Sequence, residues 1–248
     1  MSRFAMLLLG VLLAVYGASA GAGSDPASPR AKAHTELGTA YFQGGRMAVA
    51  LDEAAAAIAA DSSYAPAYNL AGLVHMFLRE NDKSRENFER ALRLAPNDPE
   101  INNNYGWLLC QTGREKDSFA YFMQAVKNPL YQTPTKPFFN AGMCALKLDD
   151  PVRAEDYFVN AVMADQTNVQ ALYRLAEIKY RGNNLYDAKR FLGVVLDKVQ
   201  DDPAPVWLAL RIERKLGNRQ AEQDYATRLR RKFQGTPEYQ AMIQGRFE

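Results

Sequence analysis

The sequence predicts an all-α protein, a superhelix of about six helix-turn-helix repeats. Two observations lead to this prediction. Alanine, the strongest helix former, accounts for 37 of the 248 residues, whereas valine and isoleucine are too sparse for a β-sandwich or barrel. In addition, the sequence resembles itself at a spacing of about 34 residues from residue 31 onward. A repeat of that length holds one pair of helices, so the repeats are expected to stack side by side.

The clearest repeat begins at Ala65 and shows which positions matter. Tyr68 is its fourth residue, Gly72 its eighth, Phe88 its twenty-fourth and Pro96 its thirty-second. The small residue lets two helices approach closely, the aromatic ring fills the gap to the next helix, and the proline ends the second helix. This pattern is typical of the tetratricopeptide repeat, in which two antiparallel helices form each unit.

Five further units follow the same pattern, so residues 31–248 form one predicted repeat domain. The six units start near residues 31, 65, 99, 135, 169 and 202, and the last unit is the weakest. Two extra residues fall in the segment 128–134, where prolines must end one helix and delay the next. We expect this loop to interrupt the stack. Residues 236–248 are too short for another repeat and are predicted to cap the last hydrophobic face.

The first thirty residues are predicted to lie outside the repeat domain. Arg3 precedes an apolar run from residue 4 to residue 16, and Ala18-Ser19-Ala20 follows, which is the pattern of a cleaved export signal. Such a run reaches only about 20 Å as a helix, less than the ~30 Å core of a bilayer, so a retained membrane helix is the weaker alternative. We therefore expect a signal peptide at residues 1–20 and a flexible lead-in at residues 21–30.

Composition and motifs give no indication of an enzyme. The formal net charge of +2 does not favour nucleic acid, and two cysteines with two histidines are too few for a typical zinc, haem or iron–sulfur site. The sequence contains no phosphate loop, zinc-protease motif or nucleophile elbow. His34 and His75 fall at core-lining positions of their repeats, so we predict structural roles for both. No catalytic residue, metal, cofactor, small-molecule substrate or nucleic-acid partner is therefore expected.

A protein-binding groove is the predicted functional site. First helices of such repeats line the concave face of the superhelix, and the fifth, ninth and twelfth positions of each repeat project into it. These positions hold apolar and amide side chains, which suit an extended or helical peptide. The alternative is that some of them only pack against neighbouring helices. The predicted groove residues are Asn69, Leu73, Met76, Asn103, Trp107, Phe139, Met143, Tyr173 and Tyr180.

The two cysteines are expected to lie on neighbouring first helices at nearly the same height. Cys110 is the twelfth residue of the third unit and Cys144 is the tenth residue of the fourth. An exported protein meets an oxidising compartment, so we predict a disulfide between them. Two buried free thiols are the alternative.

Some segments contain more than a generic repeat requires. They are the asparagine-rich segment 102–110, Asn128-Pro129-Leu130-Tyr131, the segment 140–144, Pro237-Glu238-Tyr239 and Gly245-Arg246-Phe247. In these segments the chain resembles the type IV pilus biogenesis and stability proteins. The resemblance extends over nearly the whole chain that follows the predicted signal peptide.

That resemblance implies a function in pilus assembly. Members of the family are non-enzymatic, periplasm-facing lipoproteins that assist the outer-membrane secretin, the channel through which the pilus passes. The resemblance therefore implies a pilotin-like factor in the periplasm, associated with the outer membrane, whose partner is a secretin subunit or another pilus-assembly protein. Residues 17–24 contain no cysteine for acylation, so association with the membrane is expected to be indirect. The alternative function is a general periplasmic scaffold for envelope complexes, and a hydrolase is the least favoured class.

Overall fold

The computed structural model describes residues 28–129 and 131–247, and it folds this part of the chain into thirteen α-helices with no strand. The all-α prediction is confirmed. The helices are α1 (Pro29–Gln43), α2 (Met47–Ala60), α3 (Ala65–Phe77), α4 (Asn81–Leu94), α5 (Pro99–Gln111), α6 (Glu115–Ala125), α7 (Thr135–Lys147), α8 (Pro151–Ala164), α9 (Val169–Arg181), α10 (Leu185–Lys198), α11 (Pro203–Leu216), α12 (Arg219–Lys232) and α13 (Pro237–Ile243). None of these described helices has the length and hydropathy needed to cross a bilayer.

The first twelve helices form six antiparallel pairs, which stack in chain order. In each pair the first helix packs along the second, and each second helix also contacts the first helix of the following pair. First helices contact one another from α1 through α7 and again between α9 and α11. We call the side of the stack formed by these first helices the concave face, since stacked helical repeats commonly bind partners there.

Three of the pairs are held close by a glycine on the first helix and a phenylalanine on the second. The contacts are Gly72–Phe88, Gly106–Phe122 and Gly142–Phe158, and the three rings are fully buried. A Cβ atom added at these glycines would lie 2.8, 2.9 and 2.6 Å from ring carbons, closer than packed carbon atoms approach. In the fifth pair the same two positions hold Ala176 and the smaller Leu192, both buried. The larger residue on the first helix of this pair is therefore matched by a smaller residue on the second helix.

Each of the six turns between paired helices contains one residue with a positive φ angle. Three of these residues are glycines, whereas Arg79, Asp149 and Asn183 have φ angles of 61°, 56° and 59°. This left-handed conformation costs a non-glycine residue about 1–2 kcal/mol, and it is more common for Asn and Asp. The turn at Arg79 therefore has the same backbone geometry as its glycine counterparts, because the two flanking helices fix the point at which the chain reverses.

Polar side chains cap the starts of several helices. The carboxylate of Asp98 accepts a hydrogen bond from the backbone N–H of Ile101 at the start of α5. Asp150 and Asn168 accept equivalent hydrogen bonds in the first turns of α8 and α9. Such caps satisfy backbone donors that have no partner within the helix, and they fix the residue at which each helix begins.

The loop between α6 and α7 lengthens the connection but does not interrupt the stack, contrary to the expectation from the sequence. One buried hydrophobic cluster continues from Cys110 on α5 through α6, α7 and α8 to Leu175 on α9. The loop is tied back to α5, since Tyr131 and Thr133 donate hydrogen bonds to the Glu100 carboxylate over 3.1 and 3.2 Å. The extra residues are therefore accommodated beside the stack and not within it.

The two ends of the stack differ in how they are closed. Helix α1 includes Pro29 and Arg30, which the sequence analysis assigned to the lead-in. Proline is favoured at the first helical position because its φ angle is already helical and no N–H is needed there. Residues 1–27, with the predicted signal peptide and the rest of the lead-in, lie outside the described residues. At the other end Met242 on α13 packs against Leu229 and Phe233 in the last hydrophobic cluster.

The contact between Gly142 and Phe158 predicts the effect of one methyl group. In Gly142→Ala the new Cβ atom would overlap a ring that is fully buried, so we expect the free energy of unfolding to fall by about 1–3 kcal/mol in urea denaturation. Gly193→Ala is the matched control, because Gly193 is also helical and an added Cβ there meets nothing within 4 Å. Alanine has a higher helix propensity than glycine, so Gly193→Ala should stabilise the chain by up to about 1 kcal/mol. Equal urea midpoints for the two variants would contradict this packing.

Candidate protein-binding groove

The nine predicted groove residues all lie on first helices, three on α3 and two each on α5, α7 and α9. None of them is strongly exposed. Asn103 and Tyr180 are only 4% exposed, and the other seven are partly buried. The expectation that the side chains project freely is therefore corrected for Asn103 and Tyr180, because neighbouring side chains cover them.

The middle of the concave face is aromatic. Trp107 on α5 and Phe139 on α7 both pack against the buried cluster that contains the two cysteines. The ring of Phe139 also lies 5.6 Å from that of Phe158, centroid to centroid, at an interplanar angle of 55°. Both side chains are only partly buried, so each contributes to the core and leaves part of its surface accessible. Core packing, the alternative from the sequence, therefore applies to both side chains, and each keeps an accessible surface for the predicted groove.

A cleft of about 620 Å³ opens beside Phe139. One wall is the end of the loop before α7, from Gln132 to Lys136, and the other is formed by residues 164–170 where α8 passes into α9. Asn140 also lines it. An extended chain therefore has room next to both an aromatic ring and a side-chain amide.

Four asparagines form a chain of hydrogen bonds across three first helices. The Nδ2 of Asn140 on α7 donates to Asn103 Oδ1 on α5 over 2.9 Å, and Asn103 Nδ2 donates to the neighbouring Asn104 over 3.2 Å. Asn104 Nδ2 then donates to Asn69 Oδ1 on α3 over 3.1 Å. We call these four residues the asparagine ladder. The sequence analysis identified Asn69 and Asn103 but missed the other two, although the run of three asparagines at residues 102–104 was visible.

The ladder explains why the polar side chain of Asn103 can be buried. Asn103 is an inner member of the ladder. Its side-chain carbonyl oxygen and its side-chain amide nitrogen both form hydrogen bonds to other members. An asparagine amide has two donor hydrogens and two acceptor lone pairs, so each member retains capacity for a further hydrogen bond. The ladder therefore fixes the orientation of a row of side-chain amides along the concave face.

A disulfide joins α5 and α7 in the middle of the face. Cys110 and Cys144 are bonded through their sulfur atoms, with Cα atoms 5.9 Å apart and both residues buried. The Lys147 ammonium group forms a second link, since it donates to the Cys110 carbonyl over 2.6 Å and pairs with Glu115 over 2.9 Å. The hydrogen bond from this lysine lowers the pKa of the Glu115 carboxyl. Because Trp107 lies one turn before Cys110, the cross-link also fixes Trp107 relative to α7.

The concave face has a different character where α9 meets α11. The Lys215 ammonium and the Arg211 guanidinium lie 4.3 and 4.5 Å from the centre of the Tyr180 ring, which accounts for part of its burial. Trp207 on α11 lines the same cleft as Tyr173 and Tyr180. Trp207 was not among the predicted groove residues, because it stands at the sixth position of its unit and not at the fifth, ninth or twelfth. The one available signal was that this chain has only two tryptophans.

Each histidine pairs with one glutamate. His34 Nδ1 on α1 lies 2.6 Å from Glu53 on α2, and His75 Nδ1 on α3 lies 2.6 Å from Glu80, which precedes α4. The hydrogen bond with His75 lowers the pKa of the Glu80 carboxyl. Both contacts link the two helices of a pair, as a structural role requires. Across residues 28–129 and 131–247 no three His, Cys, Asp or Glu side chains are arranged to hold a metal ion.

Comparisons with known proteins confirm the repeat architecture. Two tetratricopeptide-repeat family models match residues 69–133 and 145–211. The type IV pilus assembly protein PilF of Pseudomonas aeruginosa is 23% identical over 208 residues, which cover 84% of this chain and 82% of PilF. The crystal structure of PilW, a widely conserved type IV pilus biogenesis factor, has a TM-score of 0.76 and 30% identity, covering 86% of this chain and 98% of PilW. A structure of P. aeruginosa PilF has a TM-score of 0.79 and 22% identity, covering 87% of this chain and 97% of the PilF chain in that structure.

The disulfide at the groove predicts a measurable sensitivity to reductant. Closing a loop with a sequence separation of 34 residues stabilises a chain by about 3–4 kcal/mol in the entropic model. We expect dithiothreitol to lower the urea midpoint of the intact chain to that of the Cys110→Ser, Cys144→Ser double variant, which should itself not respond to dithiothreitol. Alkylation of the unreduced, denatured chain should label neither cysteine. An intact chain whose midpoint is unchanged by reductant would contradict the cross-link.

Proposed function

Because this chain belongs to the family of type IV pilus biogenesis proteins built from tetratricopeptide repeats, we propose that it is a non-enzymatic assembly factor for the outer-membrane secretin. In this proposal it binds a secretin subunit, or another pilus-assembly protein, and promotes its assembly or stability. PilF and PilW, the relatives that support this proposal, are described as proteins of pilus assembly and biogenesis.

The asparagine ladder beside Trp107 and Phe139 is the observation that carries the proposal. A partner segment that lies along the concave face would meet a row of oriented amides, which bind main-chain N–H and C=O groups regardless of sequence. The two aromatic side chains would supply buried apolar area at the centre of the contact, where binding energy is usually concentrated. The affinity for the partner segment would then depend on the aromatic residues. The register in which the segment binds would depend on the ladder.

The groove is also prepared for binding before the partner arrives. Trp107 and Phe139 are held from behind by the core, and α5 and α7 are cross-linked by the disulfide. Side chains that are already ordered lose little conformational entropy on association, so more of the contact energy remains as affinity. This is the property expected of a surface that captures an unassembled subunit.

The proposed location is the periplasm, in association with the outer membrane. The predicted signal peptide at residues 1–20 provides the route of export. The bonded Cys110–Cys144 pair suits an oxidising compartment, because disulfides of this kind are rare in the cytosol. A partner in the outer membrane would hold the protein there.

Removal of both aromatic side chains tests the groove. Trp107→Ala combined with Phe139→Ala should reduce co-purification of the secretin, with fewer heat-stable secretin multimers in membrane fractions and fewer surface pili. A tryptophan truncated at the centre of an interface commonly costs about 2 kcal/mol, close to a thirtyfold loss in affinity. Circular dichroism should still show a folded helical protein, with a lower melting temperature because both residues also touch the core.

The matched control removes two exposed side chains from second helices. Met163 and Tyr186 are 74% and 79% exposed and lie on α8 and α10, so Met163→Ala with Tyr186→Ala should leave multimers and pili unchanged. A folded Trp107→Ala, Phe139→Ala variant with normal multimers and pili would show that the groove is not the working surface. Normal multimers and pili after complete deletion of the gene would show that the pilus assignment itself is wrong.

A further inference from the structure

The chain's own tail forms part of the wall of the cleft between α9 and α11. The cleft has a volume of about 740 Å³, and Phe247, from the segment that follows α13, lines it together with residues of the two helices. Gly245, with a φ angle of 70°, reverses the chain after α13, as glycine does more readily than other residues. The Phe247 ring then lies 5.4 Å from the Trp207 ring, centroid to centroid. The tail, residues 244–247, therefore contacts the concave face.

Phe247 contacts the two helices through both its ring and its main-chain carbonyl oxygen. The Arg214 guanidinium lies 4.1 Å from the centre of its ring, on the helix that also carries Trp207. Its carbonyl oxygen accepts hydrogen bonds from Arg211 Nε over 3.2 Å and from the Tyr180 hydroxyl over 3.5 Å. An aromatic ring and the main-chain carbonyl of the same residue are thus recognised together, by side chains of two different first helices.

The tail is only partly buried. Gly245 and Arg246 are exposed, and Phe247 is only partly buried. The cleft is also larger than one phenylalanine side chain, and it extends to Tyr173 and Arg181 on α9, beyond the contacts that Phe247 makes. A longer segment with the same aromatic anchor would therefore make more contacts than the tail does.

The cleft has a surplus of positive charge. Within residues 28–129 and 131–247, Arg181, Arg211 and Lys215 form no ion pair with a carboxylate. The one acidic residue in the lining, Glu177, is paired with Arg174 over 2.7 Å. Acidic side chains next to the aromatic anchor would therefore be favoured. The chain's own sequence has this chemistry, since Glu248 follows Phe247.

We propose that this cleft is a second protein-binding site, which takes an extended segment of a partner carrying an aromatic residue next to acidic residues. In the free protein Phe247 takes up the contacts to Trp207, Arg211 and Tyr180 in part of this site, and the partner's aromatic residue displaces it. The inference goes beyond the proposed function, because it concerns a site between α9 and α11, at one end of the concave face, whereas Trp107 lies in its middle. It also holds whichever pilus protein supplies the segment.

The factor by which the tail weakens binding of a free peptide can be predicted. A segment tethered by a short linker acts at an effective concentration of about 1 mM. If the free peptide binds an empty cleft with a Kd of about 0.1 mM, the tail should weaken that binding about tenfold. The chain with its tail should therefore bind poorly, and a chain with the cleft emptied should bind well.

The test uses a peptide with the sequence of residues 241–248, labelled with fluorescein at its N-terminus, and fluorescence anisotropy as the readout. Its receptors are the intact chain, a chain ending at Ile243, and the full-length Phe247→Ala variant, which empties the cleft without removing the tail. We expect both altered chains to bind the peptide at least about tenfold more tightly than the intact chain does. Arg211→Gln in the shortened chain should weaken binding, and so should peptides with Phe247→Ala or Glu248→Gln.

Three results would overturn the proposal. The first is that both altered chains are folded by circular dichroism and neither binds the peptide, in which case the tail contact is only packing. The second is that both altered chains lose their fold, because the tail would then be an integral part of the last repeat. The third is a concentration-dependent dimer of the intact chain that Phe247→Ala abolishes, which would assign the cleft to the tail of a second copy.

Discussion

The close contact between a glycine on the first helix and a buried phenylalanine on the second is the constraint on which the rest of the structure depends. It brings the two helices of a pair to a separation that no larger residue at the glycine position would permit, since a Cβ atom added at Gly142 would lie only 2.6 Å from the Phe158 ring. The ring is fully buried, so it cannot turn away to restore space. Once three consecutive pairs are built to the same spacing, the positions of their first helices relative to one another follow, and so does the concave face.

The functional features of that face depend on this regular spacing. The asparagine ladder requires α3, α5 and α7 to lie within hydrogen-bond reach of one another's side chains, and the disulfide requires the Cα atoms of Cys110 and Cys144 to be 5.9 Å apart. A shift of α5 or α7 by a single residue would break both. The same spacing holds Trp107 against the core from one side and leaves part of its surface accessible in a fixed orientation. Packing inside the pairs and the geometry of the concave face are therefore parts of one arrangement.

The period, the helix pairs and the helices that carry the groove residues could be predicted from the sequence because each depends on local pattern. Small and aromatic residues at fixed spacing reveal which positions meet inside a pair.

Other features depend on contacts between distant parts of the chain and gave no such signal. Arg79 adopts a left-handed conformation that its residue type disfavours, because the helices on either side impose the turn. Tyr180 is covered by side chains from α11 and by the tail, 67 residues further along, so its burial was not visible from its position in the repeat. The loop before α7 was expected to interrupt the stack, since the prolines indicate where a helix ends but not that Glu100 binds the loop to α5.

The central claim is that partners meet the first helices and not the second helices of this stack. Site-specific photo-crosslinking in cells tests it most directly, with p-benzoylphenylalanine placed at either of two methionines of one helix pair. Met143 lies on α7 in the groove, whereas Met163 lies on α8 and is 74% exposed. If the concave face is the binding surface, irradiation should join the secretin or another pilus-assembly protein to position 143 and not to position 163. Crosslinking of that partner at position 163 with none at position 143 would contradict the claim.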